Sequence, residues 1–239
     1  MSIQSLLEQL LQSGASRYEQ ARQSGDLDKY ATGAVAGGAL ALLLGSRRGR
    51  SLGGKVLKVG TVAALGTLAW RAYNDWQAKQ AGAQGSAPPV AGGAPPAAAL
   101  PAPNFERLAA PQREDHSRAM LKAMIAAAKA DGHMDDRERG VVEAELSRLE
   151  AADGDPATRR WVEDELRRPL EPADVAAAAL EPNANPQMAA EIYLASLLVV
   201  DDTTTMERAY LDELARQLRL APGLKAELEA RSAALPVGP

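Results

Sequence analysis

Residues 81–103, AGAQGSAPPVAGGAPPAAALPAP, carry no charge and consist almost wholly of proline, glycine and alanine. Such a stretch can neither bury a core nor hold a regular helix, and reads as a flexible, partly polyproline-like linker. It divides the chain into an N-terminal region, 1–80, that is rich in glycine and small apolar residues, and a charged, periodic C-terminal region, 104–239. The second region has its own apolar periodicity, so it is expected to fold as a domain.

Within 104–239 the apolar residues recur at helical spacing. Arg113–Ala130 sets Leu121, Met124, Ile125 and Ala128 on one face, and Asp136–Glu150 does the same with Val142, Leu146 and Leu149. Further helices fit Pro156–Arg168, Pro172–Leu180, Pro186–Val200, Met206–Leu220 and Pro222–Ala234. The prolines at 156, 172, 186 and 222 fall near first turns, where a missing N–H costs nothing. No alternating strand pattern is present. Hydrophobic residues make up 46% of the chain but aromatics only 4%, a balance that favours alanine-rich helices over sheets. The fold class is therefore all-α, with about seven helices after the linker.

The N-terminal region opens on Ile3, Leu6, Leu7, Leu10 and Leu11, one face of a short amphipathic helix ending near Ser13-Gly14. No secretory signal is visible there: Glu8 interrupts the apolar residues and no basic segment precedes them. Two uncharged stretches follow, Ala31–Gly45 and Val59–Trp70, separated by the basic residues Arg47, Arg48, Arg50, Lys55 and Lys58. As a helix the first would span about 22 Å, short of the roughly 30 Å hydrocarbon core. Gly33 and Gly37, and likewise Ala34 and Gly38, form small-xxx-small patterns that allow close backbone approach. The basic cluster suits anionic headgroups, and Trp70, Tyr73 and Trp76 suit a membrane interface. A two-span hairpin would put the basic cluster on the wrong side for cytoplasmic termini. A re-entrant or interfacial hairpin avoids this, as does one crossing at Ala31–Gly45. A Gly/Ala-rich hairpin packed inside a soluble oligomer is the competing reading.

Two later segments look alike, Ala123–Leu146 and Tyr193–Leu218: each is an apolar helix, an acidic corner and a second amphipathic helix. Their acids, Asp131, Asp135, Glu138, Asp201, Asp202 and Glu207, are candidate ligands for a divalent cation such as calcium, magnesium or manganese. An EF-hand does not fit. Counted from Asp131, position 12 is Val142 in place of a bidentate Glu; counted from Asp201, Met206 stands at the required Gly. Asp135-x-x-Glu138 and Thr204-x-x-Glu207 also match capping boxes, so helix capping competes with metal binding for these acids. His133 reads as a turn residue.

With no cysteine, disulfides, thiol catalysis and thiolate zinc sites are excluded. The formal net charge of -4 removes the electrostatic footprint of a general nucleic-acid binder. No GxSxG, P-loop or HExxH motif occurs, and Ser46–Lys55 lacks the strand that a phosphate loop requires. The chain reads as a non-enzyme.

Taken together, Leu42–Gln77, Ala128–Arg139 (AKADGHMDDRER) and Val199–Leu218 (VVDDTTTMERAYLDELARQL) resemble the YebE-like inner-membrane family of uncharacterised bacterial proteins. The C-terminal domain of that family belongs to the tellurite-resistance TerB-like superfamily. The resemblance implies a TerB-like helical domain tethered to the inner membrane on its cytoplasmic side. It also implies acidic positions proposed to bind metal in some relatives, matched here by Asp131, Asp135, Glu138, Asp201 and Glu207, with Thr203 replacing an expected acid. No activity follows from it. The resulting expectation is a membrane-tethered interaction module with lipid and an unknown protein as partners, self-association as a candidate and no nucleic acid. The alternatives are a soluble, oligomeric, metal-responsive scaffold of a stress response, or a metal-dependent hydrolase.

Overall fold

The computed structural model describes residues 2–8, 62–84, 108–130, 155–180, 184–200 and 205–234. All regular structure among them is helical: α1 (3–8), α2 (Val62–Gln84), α3 (Ala110–Ala128), α4 (Pro156–Arg167), α5 (Pro172–Leu180), α6 (Pro186–Val199), α7 (Thr205–Gln217) and α8 (Pro222–Ala234). The chain is all-α. The helices expected from Pro156, Pro172, Pro186 and Pro222 begin at those prolines. The helix expected over Asp136–Glu150, the stretch Ala31–Gly45 and residues 85–103 of the linker lie outside the described residues.

Local chemistry fixes the helix starts. The Asn185 side chain accepts from the backbone N–H of Gln187 and of Met188, both at 3.1 Å, satisfying two donors that α6 leaves without an internal partner. Asp155 does the same for α4 through the Ala157 N–H, again at 3.1 Å, and this bond holds its carboxyl below the usual range. At the other end of α7, Arg219 adopts φ 56°, and the Leu220 N–H reaches back to the Ala215 carbonyl at 3.0 Å. That is the left-handed helix ending glycine normally supplies.

The sequence of α6, PQMAAEIYLASLLV, is apolar nearly all round, and a helix of that kind must be enclosed. Every residue from Ala189 to Val200 is buried. Helices α2, α3, α5, α7 and α8 all pack against it, so α6 is the axis of the fold. Ile192, Tyr193, Leu194 and Leu198 are among the largest fully buried side chains. Each fully buried aliphatic contributes about 1.5–3 kcal/mol. Ala190 and Ala195 are 0% exposed, so a larger residue at either would force neighbouring helices apart.

Helix α2 joins this same core. Leu65, Ala69 and Ala72 recur at i, i+4, i+7 and bury against α6 and α8, in one hydrophobic cluster with the helices that follow the linker. Residues Ala81–Gln84, which open the sequence expected to be linker, continue α2 as its last turn. The first proline lies only at Pro88, and the alanines and glutamine of 81–84 favour a helix there. Among the described residues no helix is long and apolar enough to cross a membrane.

Candidate functional site

Of the six acids proposed as cation ligands, Asp131, Asp135, Glu138, Asp201 and Asp202 lie outside the described residues. Glu207 sits in the first turn of α7 and is buried, 8% exposed. A carboxylate there faces the positive end of the helix dipole. No group of three or more His, Cys, Asp or Glu able to hold a metal ion occurs among the described residues. Gly33, Gly37, Gly38, Arg47, Arg48 and Arg50 also lie outside them.

Trp70, Tyr73 and Trp76 fall on α2 and are half-buried. Tyr73 and Trp76 pack against the core cluster, their rings 5.7 Å apart and tilted by 54°. The Tyr73 hydroxyl accepts from Gln77 Nε2 at 2.9 Å. Trp76 meets the first turn of α8, where a Cβ on Gly223 would stand 2.8 Å from Trp76 Nε1. Glycine is what lets the indole in. Ion pairs flank this contact: Lys79 Nζ to Glu227 Oε2 at 2.5 Å, and Arg231 to both Asp75 and Glu227. The Lys79 ammonium holds the Glu227 carboxyl below its ordinary value.

A second polar cluster lies between α3 and α6. His116 Nε2 is 2.7 Å from Glu191 Oε2, and Gln187 Nε2 donates to Glu191 Oε1 at 2.9 Å. The Glu191 side chain is 2% exposed and that of His116 15%, so the carboxylate is buried and its imidazole partner still reaches the surface. A carboxylate inside a core is tolerated only when its oxygens are paired, as here. A turn further along, Ser196 Oγ donates to the Ala123 carbonyl at 3.4 Å and ties α6 to α3 again. The neighbouring Ser117 hydroxyl is fully buried and has no hydrogen-bond partner among the described residues. The geometry locks two helices in register.

The sequence signal for this cluster was present: Glu191 is the one charge inside the apolar run Ala189–Val200. A lone acid in a buried helix demands a partner, but its identity depends on which helix packs alongside. Lys129 is a third such lock. Its Nζ donates to the carbonyls of Leu166 at 2.8 Å, Glu165 at 3.2 Å and Arg168 at 2.5 Å, closing the C-terminus of α4 with a cation.

An apolar central helix held to its neighbours by buried polar locks defines an all-helical bundle protein. The chain belongs to the DUF533 family, described as "Protein of unknown function", whose model matches residues 29–232. That span covers α2 to α7 and most of α8, and leaves α1 outside. The chain is also 28% identical over 110 residues to the "Uncharacterized protein in ampR 5'region" of Yersinia enterocolitica, an alignment covering 46% of this chain and 74% of that protein. No solved structure matches.

Proposed function

We propose that this chain is a membrane-tethered helical interaction module of the bacterial inner membrane, without catalysis, whose helical body faces the cytoplasm. Its likeness to YebE-like proteins and to TerB-like domains supports the reading, as do the small-residue stripe at Gly33, Gly37 and Gly38 and the basic residues Arg47, Arg48 and Arg50. One structural observation shapes it most. Residues 9–61 begin and end on the same helical body: α1 is held by Glu114 of α3, and α2 packs on α6 and α8.

A single crossing at Ala31–Gly45 would place a bilayer between α1 and α3. The reading therefore takes 31–58 as a re-entrant or surface hairpin, with the basic residues at the cytoplasmic headgroups. The second apolar stretch is then a core element, since Leu65 and Ala69 are already buried by protein. The acids Asp131, Asp135, Glu138, Asp201, Asp202 and Glu207 remain proposed ligands for calcium, magnesium or manganese.

The test compares the full chain with one whose residues 31–58 are replaced by a Gly/Ser segment of equal length, a change that keeps both α1 and α2. Only the full chain should co-sediment with membranes at low salt, and a carbonate wash then separates a re-entrant hairpin, which stays, from a surface hairpin, which is released. Recovery of both chains in the soluble fraction at low salt would sink the tether and favour the soluble scaffold. A thermal-shift series with millimolar divalent cations, repeated on Asp131→Asn/Asp201→Asn, tests the ion. An unchanged melting temperature in the parent chain rejects cation binding.

A further inference from the structure

Helix α1 is six residues long, and a helix of that length does not form in water on its own. It exists because the body receives it. Ile3, Leu6 and Leu7 are between 0% and 3% exposed, all within the core cluster. Its first N–H groups are met in full: the Glu114 carboxylate accepts from Ile3 N at 2.8 Å and from Gln4 N at 3.3 Å, while Ser2 Oγ accepts from Ser5 N at 3.1 Å. Arg113 Nε adds a bond to Gln4 Oε1 at 3.3 Å. The arrangement is that of a peptide helix seated in a receptor groove, with apolar i, i+3, i+4 anchors and a carboxylate reading the exposed N-terminal turn.

Two further observations separate occupant from groove. Arg113 and Glu114 lie inside the family-matched span 29–232, whereas α1 lies outside it. Residues 9–61 join α1 to α2, a length of chain sufficient to carry α1 to the same site on another copy.

We infer that the groove at Glu114 is an exchangeable helix-docking site, filled by the chain's own residues 3–8 and able to take the same segment from a second copy of this chain. Exchange needs no new contact, because the donated helix makes the bonds the resident one makes. Within one chain the tether gives the resident helix a high effective concentration, so exchange grows with protein concentration. It stands whether or not the chain is membrane-tethered or binds a cation.

The full chain with a protease site inserted after Gly14 is folded, cut, and titrated with a fluorescent peptide of residues 1–14. Saturable binding of one peptide per chain is expected. Glu114→Ala should weaken it at least tenfold, and a peptide carrying Leu6→Asp/Leu7→Asp should not bind. Uncut, a Leu6→Asp/Leu7→Asp chain, with an empty groove, should form a 1:1 heterodimer with a Glu114→Ala chain, which keeps an intact helix. Equal binding of the two peptides, or unfolding of the cut chain, overturns the docking site. Peptide binding without heterodimer overturns the second copy as occupant.

Discussion

His116 and Glu191 meet at 2.7 Å across the interface of α3 and α6, where the Glu191 carboxylate is almost wholly buried. Removing one partner of a buried pair strands the other, at a cost of about 3–5 kcal/mol. His116→Leu is expected to lower the unfolding free energy by about 3 kcal/mol, because Gln187 alone is left to satisfy the carboxylate. Adding Glu191→Leu should recover part of that loss. A double-mutant cycle by urea denaturation checks this, and additive losses would show that the two side chains are not coupled.

Gly223 reverses the usual rule for glycine in a helix. Alanine is ordinarily favoured there by about 0.5–1 kcal/mol. Here the new methyl would lie 2.8 Å from Trp76 Nε1, so Gly223→Ala should destabilise and shift the tryptophan emission as the indole leaves its contact. A stabilised variant with unchanged emission would contradict the packing of α2 on α8.

Arg219 pays for a left-handed backbone with φ 56° at the end of α7. Arg219→Gly keeps that ending without the Cβ strain and should raise stability by about 1 kcal/mol, read from the urea midpoint. A loss of stability would mean that the side chain, rather than the backbone, decides this position.

Much of the bundle could be read from the residues. Pro156, Pro172, Pro186 and Pro222 mark helix starts because a proline both lacks the N–H that a first turn leaves unused and carries a helix-ready φ. What periodicity does not carry is which helices touch. Val59–Trp70 reads as an uncharged stretch suited to a membrane, yet Leu65 and Ala69 within it are buried in the core against α6. Tyr73 and Trp76 have the composition of an interfacial pair, and α8 offers them Gly223. Glu191 announces a buried partner without naming His116, since the pairing joins residues on separate helices.

The ion pairs between α2 and α8 make their contact sensitive to acid. Lys79, and then Arg231, hold the Glu227 carboxyl below its ordinary 4.5. A depressed folded value means the pair stabilises above pH 4.5 and the contribution is lost as pH falls through that lower value. Wild type should therefore lose more stability between pH 6 and pH 3 than Glu227→Gln, and less so in high salt. Equal losses in the two proteins would exclude Glu227 as the group responsible.

The most direct test of the architecture uses the absence of native cysteine. Lys79→Cys and Glu227→Cys place two thiols where α2 meets α8, on opposite sides of the 85–107 segment, and a protease site at residue 95 cuts between them. After treatment with a short bis-methanethiosulfonate crosslinker, which spans the gap left by the two truncated side chains, and then cleavage, the two pieces should run as one species on a non-reducing gel and separate on reduction, as a single core around α6 requires. Two separate pieces without reduction, from a chain whose thiols are accessible and whose fold is intact by circular dichroism, would contradict the account.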